Sequence, residues 1–216
     1  VRQGRVRSFL AIFIVFGIFA ISVPAQAAQY PAQVTPASAV SVITEGELRH
    51  QIELGGERTI ILGGDITVTG SNFVIPSGAN ITLQSSLLVG NPSIIMTGSA
   101  VGRAITVSGS NTRLTINGVN IREGNSSVSN AWARGGIDVL NGATVILNEG
   151  EISGFRTAGA MPGQSDGLAG TNFMGTGVNV GNDSRFEMHG GAIRDNRSGR
   201  NIGGGGGGVF LGVTGL

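Results

Sequence analysis

The sequence predicts an all-β solenoid, a coil of short strands whose rungs stack on one another. Three observations predict it. A unit spanning 136–155 recurs at 177–196, 41 residues on, with its apolar positions superposed: Ile137/Val178, Val139/Val180, Val145/Phe186, Leu147/Met188 and Ile152/Ile193. Inside each copy apolar and polar residues alternate with a period of two, the mark of strands with one buried face. Gly and Asn sit between the strands, where the chain must turn through positive φ.

The unit extends in both directions. Leu114-Thr-Ile116 matches Val145-Ile-Leu147 at a spacing of 31, and Ile105-Thr-Val107 matches Ile137-Asp-Val139. Ile81-Thr-Leu83-Gln84 lies 33 residues before Leu114-Thr-Ile116-Asn117, and Gly208-Val-Phe-Leu-Gly lies 31 residues after Gly177-Val-Asn-Val-Gly. One such unit carries too few inward aliphatic side chains to offset the entropy of ordering it. Stacked units can fold, because each covers the apolar face of its neighbour and completes its hydrogen-bond ladder. Three short strands per unit suit a coil that turns three times per rung, with rungs about 4.8 Å apart. Gln84, Asn117, Asn148 and His189 then fall in one column, expected to be a structural ladder of side chains.

Taken from its start, the chain opens with Arg2, Arg5 and Arg7, an apolar run from Phe9 to Val23, Pro24, and the small residues of Ala25-Gln-Ala27. These are the three parts of a secretory signal peptide, assigned to residues 1–27. As a helix the apolar run spans about 22 Å, short of the roughly 30 Å hydrocarbon core of a bilayer. Residues 28–44, rich in Ala, Pro, Gln, Ser and Val, read as an extended linker. Thr44-Glu-Gly-Glu47 has capping-box spacing, and Leu48 and Ile52 share a helical face. The spacing predicts a short helix from about Glu45 to Leu54, stopped by Gly55-Gly56, within a cap region at 45–56. Its expected role is to shield the first unpaired edge of the stack. The repeats occupy 57–216, starting with Thr59–Leu62, Asp65–Thr69, Phe73–Ile75, Asn80–Gln84 and Ser93–Met96 between turn-forming residues. From 123 to 133 and from 157 to 175 the pattern lapses into loops, expected on one side of the solenoid. Leu216 falls in mid-unit, so the chain is expected to be the N-terminal piece of a longer array with further rungs beyond it.

Composition narrows the function. There are 38 Gly and only 12% charged residues beside 40% hydrophobics, which excludes both simple disorder and collagen. All 14 basic residues are Arg; without Arg2, Arg5 and Arg7, 11 remain against 13 acidic ones, a net charge of −2. No basic stripe is left for nucleic acid. Cysteine is absent, so disulfides and thiolate metal sites are excluded. After leader removal no second membrane segment is expected.

Gly-Gly-Asp-Ile-Thr-Val-Thr (63–69), Val-Ile-Pro-Ser-Gly-Ala-Asn-Ile-Thr-Leu (74–83), Arg-Ala-Ile-Thr-Val-Ser-Gly-Ser (103–110) and Phe-Glu-Met-His-Gly-Gly-Ala-Ile-Arg-Asp-Asn (186–196) resemble the repeats of right-handed parallel β-helix proteins of the bacterial surface. That pectin-lyase-like group is often described as adhesin-like and shares its fold with pectate lyases. The resemblance covers roughly residues 45–216. It implies an all-β, right-handed parallel β-helix solenoid with a short N-terminal capping helix, secreted or attached to a bacterial surface. Members include carbohydrate-cleaving enzymes, phage tailspikes, adhesins and autotransporter passengers, so fold alone does not choose the activity.

Chemistry in this fold would need clustered carboxylates on adjacent rungs. The five Asp (65, 138, 166, 183 and 195) fall at different points of the repeat. Asp138, between inward Ile137 and Val139, should face out as solvated surface; its repeat partners are Thr106 and Asn179, so no carboxylate column forms. Asp183 and Gly142 share a turn position. His50 should be exposed on the helix. His189 beside Glu187 is the most tempting acid–base pair, read as a turn side chain, and Arg194-Asp195 reads as a surface ion pair. Gly163-Gln-Ser-Asp166-Gly could form a Ca²⁺ loop but lacks the ninefold Gly/Asp pattern, and Gly203–Gly208 lacks the Lys of a phosphate loop. Trp132, the single Trp, could be a sugar platform in a loop. No catalytic residue, metal site or cofactor is assigned, and the ligand-binding residues are left open. The expected function is a non-enzymatic exported surface module, a structural stalk or an adhesin whose partner is a polysaccharide or a host or neighbour-cell surface. The alternative is the first rungs of a polysaccharide lyase or glycoside hydrolase whose active site lies beyond Leu216.

Overall fold

Alternation with a period of two buries one face of each strand, and the chain satisfies that demand by pairing strands across repeats rather than within them. The computed structural model describes residues 38–86, 90–97, 102–124, 134–157, 175–198 and 207–212, all within the unit 36–216. Residues 1–27, Trp132, 163–167 and most of the 203–208 glycine run lie outside the described residues.

In chain order the elements are β1 (Ser38–Val42), α1 (Glu45–Glu53), β2 (Glu57–Leu62), β3 (Ile66–Val68), β4 (Phe73–Ile75), β5 (Asn80–Ser85), β6 (Ser93–Met96), β7 (Gly102–Ser108), β8 (Arg113–Asn117) and β9 (Asn120–Glu123). There follow β10 (Arg134–Leu140), β11 (Thr144–Glu149), β12 (Glu151–Ser153), β13 (Arg156–Thr157), β14 (Val178–Val180), β15 (Arg185–Met188), β16 (Ala192–Arg194), β17 (Arg197–Ser198) and β18 (Val209–Leu211). They form three parallel sheets. Sheet I runs β1-β2-β5-β8-β11-β15, sheet II β3-β6-β9-β12-β16, and sheet III β4-β7-β10-β14-β18. Beside sheet III, β13 joins β10 in the one antiparallel contact among the described strands, and β17 pairs with β13. The chain visits sheets I, II and III in that order five times, beginning at β2, β5, β8, β11 and β15. This all-β arrangement, with a single helix among the described residues, is compatible with a parallel β-helix.

The register follows the apolar spacing of the sequence. Ile60, Leu83, Ile116, Leu147 and Met188 form one inward column on sheet I. Ile66, Ile94, Ile121, Ile152 and Ile193 form another on sheet II. Phe73, Ile105, Ile137, Val178 and Val209 do the same on sheet III. Each member of the middle coils is fully buried, and each such side chain stabilises by about 1.5–3 kcal/mol. At the corner between sheets III and I, Gly142 and Asp183 share positive φ, 82° and 56°, as their common turn position predicts.

The start of the stack is closed by two devices. Helix α1 carries the predicted capping box: the Thr44 side chain accepts from the Glu47 N–H, and the Glu47 carboxylate accepts from the backbone of Thr44. Leu48 and Ile52 are buried beneath it. The helix lies beside β3 and β4, the first strands of sheets II and III: Glu45 accepts from the Thr69 and Gly70 amides at 2.9 and 3.1 Å. Arg49 donates to the Ser71 carbonyl at 2.6 Å and stacks over the Phe73 ring at 4.7 Å. Sheet I is extended instead by β1, which falls inside the stretch 28–44 read as a linker. The alternation of Val40 and Val42 within Ser38–Val42 is too brief to stand out from its small-residue surroundings, and only the in-register partner β2 makes it a strand.

Candidate groove on the outer face of sheet III

Where Ile137 and Val139 point inward, Asp138 between them must point out. The same holds on the neighbouring strands, so Val74, Thr106, Asp138, Asn179 and Phe210 form an outward column across all five coils. Beside it lie Leu140, Asn141, Gly181, Asn182 and Gly212. Together with Arg103 at the base, these residues line an open groove of 720 Å³. Gly181 keeps the floor low: a side chain there would press on Leu140.

Asp138 differs from the expected solvated carboxylate. Its side chain is only 20% exposed and meets the Arg103 guanidinium at 2.9 Å. Arg103 is itself buried and donates to the Gly175 carbonyl at 2.7 Å. Burial pushes the Arg103 pKa down from its ordinary value, and the charge of Asp138 counters this, so the cation and the carboxylate are held as a pair. Asn179 donates to the same Asp138 oxygen at 2.9 Å. The room for this arrangement comes from Gly135, the register partner of Arg103, where a side chain would collide with the guanidinium. Reasoning by period missed Arg103 because its side chain runs diagonally to a residue that is not its register partner. A bare Gly opposite a long Arg is the signal that could have found it.

The other singled-out residues fall elsewhere. His189 and Glu187 do come together, at 3.2 Å, on the exposed face of sheet I. The His189 ring also meets the Asn148 amide oxygen at 3.0 Å, and Asn148 donates to Asn117 at 2.7 Å. The expected ladder therefore links three of its four members by side chains, while Gln84 is the register partner of Asn117. Arg194 pairs with Asp195, as read, and also with Glu151 at 2.8 Å; the hydrogen bonds it donates to Glu151 and Asp195 raise its pKa. Arg122, Ser153 and Arg194 form the outward column of sheet II, beside a polar cleft of 440 Å³. His50 is exposed on α1, remote in sequence from these clusters. Among the described residues no three His, Asp or Glu side chains are grouped to hold a metal ion, and no helix is long and apolar enough to cross a membrane.

Compared with protein-family models, with curated proteins and with solved structures, the chain matches none.

Proposed function

We propose that the protein is a right-handed, pectin-lyase-like parallel β-helix that serves as a non-enzymatic, exported module of a bacterial surface, a rigid support that also presents a binding face. One observation carries this reading: five successive coils repeat the same inward columns in register, and several of the ionisable groups on their outer faces are paired with one another. Arg103 with Asp138, Arg194 with Glu151 and Asp195, and Arg185 with Glu187 are paired across or along the strands. Such groups brace a surface; a hydrolase or lyase needs carboxylates free to exchange protons with substrate. The leader-like residues 1–27 support export, and the right-handed sense is the one parallel crossovers adopt in about 98% of cases.

The test is a paired assay on the full chain: retention on immobilised polysaccharides and intact cells, and release of reducing ends or unsaturated products from the same polysaccharides. Retention without product is the expected result. Product formation that tracks the folded chain would overturn the reading in favour of an enzyme.

A further inference from the structure

We propose that the sheet III groove is a binding site for a neutral oligosaccharide laid across the strands from Val74 to Phe210. This rests on the reading of the protein as a binding module and names the ligand class and the face.

The chemistry of the lining selects the ligand. Its one cation and its one carboxylate, Arg103 and Asp138, satisfy each other at 2.9 Å, so the groove offers no net charge to a uronic acid, a phosphate or a polyamine. What it does offer is a set of amides and a hydroxyl: Asn141, Asn179, Asn182 and Thr106. Asn179 and Asn141 each give one N–H, to Asp138 and Ser108, and an amide carries a second N–H and an accepting oxygen besides. Amides and hydroxyls both donate and accept, as sugar hydroxyls do. Apolar surface stands at both ends of the outward column, in Val74, which is 62% exposed, and in the ring of Phe210, with Leu140 beside the middle. Such patches suit the C–H faces of pyranose rings. The five-strand column spans four rung spacings, about 19 Å, which fits a short chain of sugars rather than a single ring. A peptide is a poorer occupant. The groove floor is the face of a sheet whose inner strands β7, β10 and β14 are paired on both sides, so strand addition is confined to the outer edges of β4 and β18 and does not use the groove.

The experiment titrates the full chain with neutral and with uronic-acid oligosaccharides, at low and high salt, by calorimetry. Three variants accompany it: Phe210→Ala and Val74→Asp at the two ends of the groove, and Thr67→Asp as the same kind of change on the outer face of sheet II. Val74 points into solvent, so the charge does not enter the core, and the urea midpoint of each variant checks the fold. The expected result is binding of a neutral oligosaccharide that is insensitive to salt and is weakened about tenfold by each groove variant but not by Thr67→Asp. Preference for uronic acids, loss of binding in salt, or no neutral oligosaccharide bound would each overturn the proposal. Binding that is equal in all variants would also overturn it, while leaving the binding-module reading in place. Product formation would instead overturn that reading.

Discussion

The two ends of the described stack bury their apolar residues very differently. At the first, Leu48 and Ile52 of α1 are 0% and 1% exposed, and Phe73, beneath Arg49, is 1% exposed. At the last, Met188, Val209 and Leu211 occupy the register columns of buried Leu147, Val178 and Val180, yet they are 46%, 42% and 66% exposed. The side chains are alike in kind. Burial in this stack is therefore a property of the neighbouring layer, and the hydrophobic contribution of a residue depends on which coil it occupies.

The largest expected effect is at the closed end. Leu48→Ala should destabilise by about 2–5 kcal/mol in urea unfolding. A loss below about 1 kcal/mol would mean that α1 only rests on the stack. Next comes the middle of the stack, where removing one member of a pair should matter more than either end's surface. Asp138→Ala takes the carboxylate from the buried Arg103 cation, leaving its charge uncompensated, and should lower stability by about 2–4 kcal/mol in the same measurement. Gly135→Ala should disturb the same pair by displacing the guanidinium. Thr44→Ala removes the helix cap and should cost about 1 kcal/mol, with early hydrogen exchange confined to α1.

Acid should separate the helix-closed end from the middle of the stack as well. Burial alone would raise the Glu45 pKa, but hydrogen bonds from the Thr69 amide, Arg49 and Gly70 outweigh it, so the folded value lies below the ordinary one. The Glu47 value is also lowered, first by the Ile43 amide and then by Thr44. A depressed carboxylate stabilises fully above its unfolded value of about 4.3 and loses that contribution as pH falls through the folded value. Amide exchange in β1 and α1, corrected for intrinsic rate, should therefore accelerate below that pH before exchange in β8 and β11 does, and Glu45→Gln should reduce the difference. The smallest effect belongs to the last described coil, where Leu211 is exposed: Leu211→Ala should change stability by less than about 0.5 kcal/mol.

The register was legible because it rests on inward residues that recur at nearly fixed spacing. Ile81 with Leu114, Val145 with Phe186 and Val178 with Val209 are Cα partners, as the alignment of repeats implies. Helix α1 was legible from Thr44, Glu47, Leu48 and Ile52, since capping chemistry is local in sequence. Strand β1 was not, because its identity depends on a partner beyond the helix. The groove was half legible. Asp138, Thr106 and Asn179 were placed in one outward column, but the diagonal reach of Arg103 and the apolar ends at Val74 and Phe210 depend on side-chain lengths and neighbouring gaps that periodicity does not encode.

The ladders between coils run along the direction of stacking, since the strands of sheets I, II and III pair with their counterparts in neighbouring repeats. This has a mechanical consequence. Tension that separates the first coil from the last pulls along those hydrogen bonds and opens them one layer at a time, as a zipper opens. A force within the plane of one coil must instead shear many bonds together. A tether carrying load along the stack would thus yield by peeling, one layer at a time, while a load across the stack would meet many bonds at once.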